Sequence, residues 1–217
     1  MTDTAQTAHG AAKRAPLRAE AQGRARLLPW CGLRAGIVFL LFFVHLPGSA
    51  GGQELVTHDP IKVEAAFLRN FAHYVTWPPK TFADDRSPWR ICILGADPFG
   101  QVLEKTFLGR TEQERQFEIL RAEALDQLPP CQIVYVAYRD AARRRAALNE
   151  LKDRPVLTVG DAPGFLREGG IVRFRVAEHV EISVNLDQAR SASLKIQTKM
   201  LEVTYEVVEN GTQRRLR

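Results

Sequence analysis

Two aspartates stand directly after apolar runs that are typical of buried strands. Asp97 lies in the turn Gly95–Phe99, and Asp161 lies in the turn Gly160–Phe165. Both turns join a predicted strand to a predicted helix, and ligands of open α/β sheets bind at that edge. The sequence therefore predicts a pocket there, with both aspartates as candidate binding residues. The alternative is that each aspartate only caps the helix that follows it.

Residue patterns that indicate catalysis or metal binding are missing from the sequence. Beyond residue 50 the histidines are His58, His73 and His179, and no two of them have the spacing of metal ligands. There is no GxGxxG, Walker A, HExxH, CxxC or GxSxG motif. We therefore expect no catalytic residue, no metal and no cofactor, and an enzyme is disfavoured.

Cys92 and Cys131 are the two cysteines beyond residue 50. In an exported protein they are expected to pair, because the compartment is oxidising, whereas in the cytosol they would be two buried thiols. They fall in the first and the central predicted strands, and neighbouring parallel strands can bring such positions within disulfide reach. If the chain is exported, we predict a disulfide, either a static structural bridge or a redox switch.

The first fifty residues have the parts of a secretory signal peptide. Residues 1–34 carry six basic and two acidic side chains, and the apolar run at residues 35–46 is followed by Pro47 and small residues. The run is shorter than the ~20 residues of a membrane span. We predict cleavage near Ala50 and an exported protein, with a retained membrane anchor as the alternative. The remaining chain has a net charge of about +1, which does not indicate nucleic-acid binding.

A helix rich in aromatic residues is predicted at the start of the folded part. Apolar side chains recur at helical spacing through residues 63–79. Asp59 suits the cap position and Pro60 the first helical position. Trp77 and the two prolines after it predict the end of the helix, because proline cannot donate a backbone hydrogen bond.

Buried strands alternate with helices in the middle of the chain. Strands are predicted at residues 89–95, 115–120, 131–138 and 155–160, and helices at residues 98–108 and 139–152.

A change to period-two alternation predicts a hairpin of residues 171–176 and 180–186. A last helix is predicted at residues 188–205, before a frayed polar tail at residues 209–217. This order predicts an α/β fold in a single domain at residues 51–208. Its sheet is expected to be mixed, with a parallel βαβ part and a C-terminal antiparallel hairpin, and to be flanked by helices.

Several separated segments of the chain resemble the YfiR/HmsC family. The segments are AAFLRNFAHYVTWP (65–78), ICILGADPFG (91–100), RPVLTVGDAPGF (154–165), GGIVRF (169–174) and VEISVNLDQARSASLKIQTKML (180–201). They occur in the family's order and cover nearly all of the chain after the leader. The spacing of Cys92 and Cys131 also resembles a disulfide pair found in YfiR. A second cysteine pair that some members carry is missing here after the leader.

The resemblance implies a periplasmic repressor with protein partners. Its expected target is the periplasmic sensor domain of an inner-membrane diguanylate cyclase of the YfiN type, which controls cyclic-di-GMP and biofilm formation. An outer-membrane lipoprotein of the YfiB type is the expected antagonist. The sequence does not decide whether the protein forms a homodimer. Two alternative functions are not excluded by the sequence. The protein could be a periplasmic small-ligand-binding module that uses the two turns, or an accessory factor of an envelope complex.

Aromatic side chains that leave the core are the usual anchors of an interface. Trp77 and Phe165 are the first candidates for that role, with packing in the core as the alternative. The full candidate surface for a partner or ligand comprises Trp77, Asp97, Phe99, Asp161 and Phe165.

Overall fold

Helix α1, at Pro60–Tyr74, is the first element of the computed structural model, which describes residues 59–217. The predicted signal peptide at residues 1–50, its apolar run and the cleavage near Ala50 lie outside the described residues. Among residues 59–217, no helix has both the length and the apolar character needed to cross a membrane.

The remaining elements alternate in type along the chain. The other helices are α2 (Gln101–Phe107), α3 (Ala141–Leu151), α4 (Leu186–Ser191) and α5 (Thr198–Glu202). The strands are β1 (Val75–Thr76), β2 (Trp89–Leu94), β3 (Thr111–Glu112), β4 (Arg115–Ala122), β5 (Ile133–Val136), β6 (Leu157–Gly160), β7 (Val172–Val176), β8 (Val180–Asn185), β9 (Lys195–Ile196), β10 (Thr204–Glu209) and β11 (Thr212–Arg215).

Helix α1 begins where the sequence predicts and ends earlier. The carboxylate of Asp59 accepts a hydrogen bond from the backbone N–H of Ile61 at 3.1 Å, and Pro60 occupies the first turn. The helix ends at Tyr74, because the next two residues leave it to form β1. Its buried face packs on the sheet, with the ring of Phe71 centred 5.9 Å from that of Phe174.

Nine strands form one mixed sheet, in the order β3-β4-β2-β5-β6-β7-β8-β10-β11. All neighbours from β4 to β7 are parallel, and β7 and β8 form an antiparallel hairpin. β10 runs parallel to β8, while β11 is antiparallel to β10. The predicted α/β domain, with a parallel part and an antiparallel hairpin, is therefore confirmed.

Alternate residues of the central strands supply two apolar layers, one on each face of the sheet. Ile91 and Ile93 of β2 pack in the layer that contains α1 and α2. Cys92 and Leu94 pack in the layer that contains Leu148 of α3. Successive side chains of a strand point to opposite faces, so these strands are buried on both sides, as in sheets covered by helices.

The predicted long helix at residues 188–205 is wrong. Helix α4 ends at Ser191, and Ser193 takes a left-handed backbone conformation with φ of +57°. Lys195 and Ile196 then form β9, which pairs antiparallel with β1. The apolar spacing of this segment fits a helix, but pairing with a distant strand determines its structure.

Residues 209–217 are exposed and polar, as the sequence predicts, but they are not frayed. Residues 212–215 form β11, which pairs with β10 through a turn at Asn210 and Gly211. The carboxylate of Asp187 accepts hydrogen bonds from the backbone N–H groups of Asn210 and Gly211, at 2.9 and 2.8 Å. This side chain therefore holds the turn in place.

Candidate functional site

The carboxyl ends of the parallel strands create a crevice between β2 and β5. The chain leaves β2 for β4 on one side and then returns to β5 on the other side. The connections therefore diverge at this point, which is where ligands bind in doubly wound sheets. We call this region the carboxyl edge, and the opposite end of the same strands the amino edge.

A cavity of about 430 Å³ opens at the carboxyl edge. Its walls are formed by Ala96, Asp97, Pro98, Tyr135, Ala137, Tyr138, Arg139, Arg144, Asp161, Ala162 and Pro163. The structure therefore brings the two predicted turns together around one cavity.

Gly95 allows the first turn to approach the wall of the cavity closely. Its φ is +95°, and a Cβ atom at this position would lie 2.8 Å from the Cδ1 atom of Tyr138. Any other residue here would be strained in its backbone and would collide with the ring.

Asp97 is fully engaged in hydrogen bonds within its own turn and with a neighbouring strand. Its Oδ1 atom accepts from the backbone N–H of Phe99 at 2.8 Å, and its Oδ2 atom accepts from that of Gly100 at 3.1 Å. Arg121 of β4 donates its Nε–H to Oδ2 at 2.7 Å. Asp97 therefore stabilises the turn before α2, whose cap position is occupied by Gly100.

Asp161 differs from Asp97 in its contacts. Its side chain is exposed, and no helix begins after it, since residues 163–169 form turns. Within residues 59–217, its carboxylate takes part in no hydrogen bond or ion pair. The alternative that Asp161 caps a helix is therefore wrong. The side chain of Asp161 lines the cavity together with those of Arg139 and Arg144.

Glu64 and Tyr135 are buried near Asp161, and neither was among the candidate residues predicted from the sequence. Glu64 of α1 is 4% exposed and Tyr135 of β5 is 1% exposed. Neither the carboxylate nor the hydroxyl has a hydrogen-bond partner among the described residues. Glu64 stands four residues before Leu68 and seven before Phe71, on the buried stripe of α1. Carboxylates are rarely buried, so a glutamate among the apolar positions of a helix was the signal in the sequence that could have identified Glu64.

The electrostatics of this group follow from burial. Burial, together with the negative charge of Asp161, raises the pKa of Glu64 to about 7. The pKa of the Tyr135 hydroxyl is raised by burial and then by the charges of Asp161, Glu64 and Asp97. Burial therefore favours the neutral forms of both side chains.

Two arginines, Arg139 and Arg144, line the cavity. Arg144 donates two hydrogen bonds to the carboxylate of Glu168, at 2.5 and 2.7 Å, and others to backbone carbonyl groups. The charge of Glu168 therefore compensates that of Arg144. Arg139 is exposed and makes no ion pair with a described residue.

The three aromatic residues of the candidate surface are buried. Phe99 packs edge-on against Tyr135 at 4.8 Å between ring centres, and Trp77 packs edge-on against Trp89 at 5.0 Å. Phe165 is 0% exposed. The prediction that Trp77, Phe99 and Phe165 form part of a surface for a partner or ligand is therefore corrected: all three side chains pack in the core. Of the five predicted residues, only Asp97 and Asp161 are reachable.

Two glycines explain why Phe165 is buried. A Cβ atom at Gly160 would lie 2.5 Å from the Phe165 ring, and one at Gly170 would lie 2.2 Å from it. The ring therefore fills the space that two missing side chains leave, and the backbone N–H of Gly170 donates to the carbonyl of Phe165 at 2.9 Å. The turn Gly160–Phe165 therefore packs around the ring of Phe165.

The predicted disulfide between Cys92 and Cys131 is present. It joins the middle of β2 to the segment that enters β5, with the two Cα atoms 6.2 Å apart. Gln132 next to it accepts a hydrogen bond from the backbone N–H of Arg90 at 2.7 Å. The bridge and this hydrogen bond both tie β5 to β2 near the amino edge.

The histidines lie away from the cavity. His73 is exposed at the other end of α1 and contacts the carboxylate of Glu112 at 3.1 Å. His179 is exposed in the hairpin loop, and His58 lies outside the described residues. In the part of the chain that the structure describes, no three His, Cys, Asp or Glu side chains converge in a metal-binding group.

Comparison with protein families identifies the family of this chain. A family model described as YfiR/HmsC-like matches residues 61–204, about two thirds of the chain. The match begins in α1 and ends at the first residue of β10, so it includes the disulfide and both turns of the carboxyl edge. A search of curated proteins finds no match.

Proposed function

This chain belongs to the YfiR/HmsC-like family, and on that basis we propose that it represses an inner-membrane diguanylate cyclase by binding its periplasmic sensor domain. The family is regulatory and not catalytic, and membership supports a role in cyclic-di-GMP signalling. The observation that carries the proposal is the extent of the match, which covers the domain from its first helix to the start of its last hairpin.

The disulfide supports export of the protein to the periplasm. Structural disulfides persist in oxidising compartments and are rare in the cytosol. Cys92 is buried in the centre of the domain and paired with Cys131. The bridge therefore suits a protein that works outside the cytoplasm, as a periplasmic repressor must.

We place the contact with the cyclase at the carboxyl edge. Asp161 is exposed there, and its carboxylate makes no hydrogen bond or ion pair with a described residue. An exposed charge of this kind at an interface favours a partner with a complementary basic group, and it affects association more than folding. A YfiB-type lipoprotein remains the proposed antagonist of the same regulator.

The first test measures cyclic-di-GMP in cells that lack the gene. Deletion should raise the nucleotide, and the wild-type gene should restore the original level. A gene that encodes Cys92→Ser should restore it poorly, because the protein loses its bridge. An unchanged level after deletion would overturn repression and favour an accessory role in an envelope complex.

A second test examines where the partner binds. Asp161→Arg should weaken binding of the purified sensor domain about tenfold, because it reverses the charge at the edge. Asp126→Arg is the matched control, since Asp126 is also exposed but lies in the turn Leu125–Gln127 next to Cys131. If both variants bind like wild type, the cyclase contacts another surface.

A further inference from the structure

We propose that the outer side of β4, which faces away from β2, binds the carboxyl-terminal segment of a partner protein. The segment adds to the sheet as a strand antiparallel to β4. Its last side chain is apolar, and its terminal carboxylate meets Arg110. This inference does not depend on the cyclase, because it concerns a surface other than the carboxyl edge.

The first argument is that β4 has open backbone groups on its outer side. Residues 117–122 pair with β2, whereas β3 covers only residues 115 and 116 on the other side. The backbone N–H of Gly95 donates to the carbonyl of Ala122 at 2.8 Å, so Ala122 faces β2. Successive residues of a strand face alternate neighbours, and Ile119 and Arg121 therefore direct their N–H and C=O groups outward. No described residue forms a hydrogen bond with these groups, and such a row is a template for a further strand.

The second argument is an apolar cavity of about 450 Å³ beside these groups. Phe107, Phe117 and Ile119 line it. Leu108 lines it too, and at 83% exposure this is the most exposed large apolar side chain of residues 59–217. In an added strand, the side chain opposite Ile119 lies on the same face of the sheet as that of Ile119. An apolar residue of the partner at that position would therefore enter the cavity.

The third argument is positive charge at the point where an added strand must end. Thr111 of β3 is already opposite Gln116, and Arg110 precedes it, so an antiparallel strand has no room beyond this point. Arg110 lines the apolar cavity and also a second cavity of about 250 Å³, which Arg69 lines as well. Neither arginine forms an ion pair within residues 59–217. A terminal carboxylate suits this place, because guanidinium groups hold carboxylates through charge-assisted hydrogen bonds.

The acidic side chains of the two cavities already have partners. Glu104 pairs with Arg121 at 2.7 Å, and the carboxylate of Glu112 contacts His73 at 3.1 Å. A parallel strand would bring its terminal ammonium group to the two arginines, which repel it. The charges therefore favour the antiparallel direction and a carboxyl terminus.

The probe is the peptide acetyl-TSTVTL with a free terminal carboxylate, titrated into the purified protein by isothermal calorimetry. The same peptide with a terminal amide is the matched control, because it differs only in that charge. We expect the free acid to bind at least about tenfold more tightly than the amide. Equal binding of the two peptides would overturn the proposal, as would no binding of the free acid.

Variants place the peptide on this side of β4. Arg110→Gln should weaken binding of the free acid about tenfold and leave binding of the amide unchanged. Ile119→Pro should weaken both peptides, because it removes an outward N–H that no described residue uses. Arg154→Gln, at an exposed arginine in the loop between α3 and β6, should bind both peptides like wild type.

The proposal is wrong if Arg110→Gln binds the free acid as tightly as wild type does. Because Arg110 is exposed, this variant decides the result even if Ile119→Pro does not fold.

Discussion

The two edges of the sheet differ in the kind of side chain that they bury. At the amino edge, Trp89 contacts Trp77 and Phe82, and its indole N–H donates to the carbonyl of Glu112 at 3.0 Å. The disulfide lies near this edge. At the carboxyl edge, Glu64 and Tyr135 are buried without partners among the described residues.

This difference indicates a division of roles within one domain. Aromatic packing and a covalent bridge both lower the free energy of the folded state. Burial of the Glu64 carboxyl group raises it, and perturbed groups of this kind cluster at functional sites. We therefore expect substitutions at the amino edge to affect mainly stability, and substitutions at the carboxyl edge to affect mainly binding.

The largest effect is expected from removal of the disulfide. The two cysteines are 39 residues apart, and closing such a loop stabilises a protein by about 4 kcal/mol in the chain-entropy model. Cys92→Ala combined with Cys131→Ala should therefore lower the free energy of unfolding by about that amount, measured by urea denaturation. A loss below about 1 kcal/mol would contradict a stabilising role for this edge.

The next effect is expected at Trp77, which is 8% exposed and packs on Trp89. Trp77→Ala should cost about 3 kcal/mol, because it leaves a cavity among aromatic rings. Trp77→Phe is the control, since it keeps a ring and removes an indole N–H that has no partner among the described residues. If Trp77→Ala leaves the melting temperature unchanged, Trp77 is not a core residue.

At the carboxyl edge, Glu64 should make stability depend on pH. Its pKa is about 7 in the folded protein and 4.5 ordinarily, so the unfolded chain releases this proton at lower pH. Stability should therefore fall as the pH rises from about 4.5 to 7, by roughly 2–3 kcal/mol. The groups near Glu64 are Asp161 and Tyr135, and burial raises the pKa of the Tyr135 hydroxyl above its ordinary value.

The test compares Glu64→Gln with wild type by chemical denaturation at pH 5 and pH 8. The variant should be more stable than wild type at pH 8, and the two should differ little at pH 5. Glu150→Gln makes the same change at an exposed position of α3, and it should follow wild type at both pH values. A constant difference between Glu64→Gln and wild type would show that Glu64 does not titrate in this range.

The smallest effects compare the two aspartates of the carboxyl edge. Asp97→Asn should cost about 1–2 kcal/mol, because Asp97 accepts two backbone hydrogen bonds and pairs with Arg121. Asp161→Asn should change stability by less than about 0.5 kcal/mol, because its carboxylate has no partner among the described residues. Equal losses in thermal unfolding would remove the distinction between a structural and a binding aspartate.

The elements that the sequence predicts correctly are those with local signals. Asp59 and Pro60 start α1 through contacts within one turn, and the alternation at residues 171–186 gives the hairpin of β7 and β8. The segment at residues 188–205 has helical spacing, yet β9 pairs with β1 from the other end of the domain. No local pattern contains that information.

The candidate site was predicted in its position but only partly in its residues. The location of the two turns follows from strand–turn–helix order, which is a general property of parallel sheets. The burial of Phe165 depends on Gly160 and Gly170, which act together only once the turn is folded. Glu64 comes near Asp161 from a helix nearly a hundred residues earlier in the chain, so no motif around Asp161 indicates it.

The pairing of β1 with β9 sets an order of assembly. Val75 is made early and Ile196 late, and these two residues are register partners. Helix α1 packs on β7 through Phe71 and Phe174, so its aromatic face is also covered only by later segments. Contacts between such distant residues slow folding. During synthesis, the apolar face of the first helix therefore stays uncovered until the later segments are made. This helix is the part of the domain most in need of a chaperone.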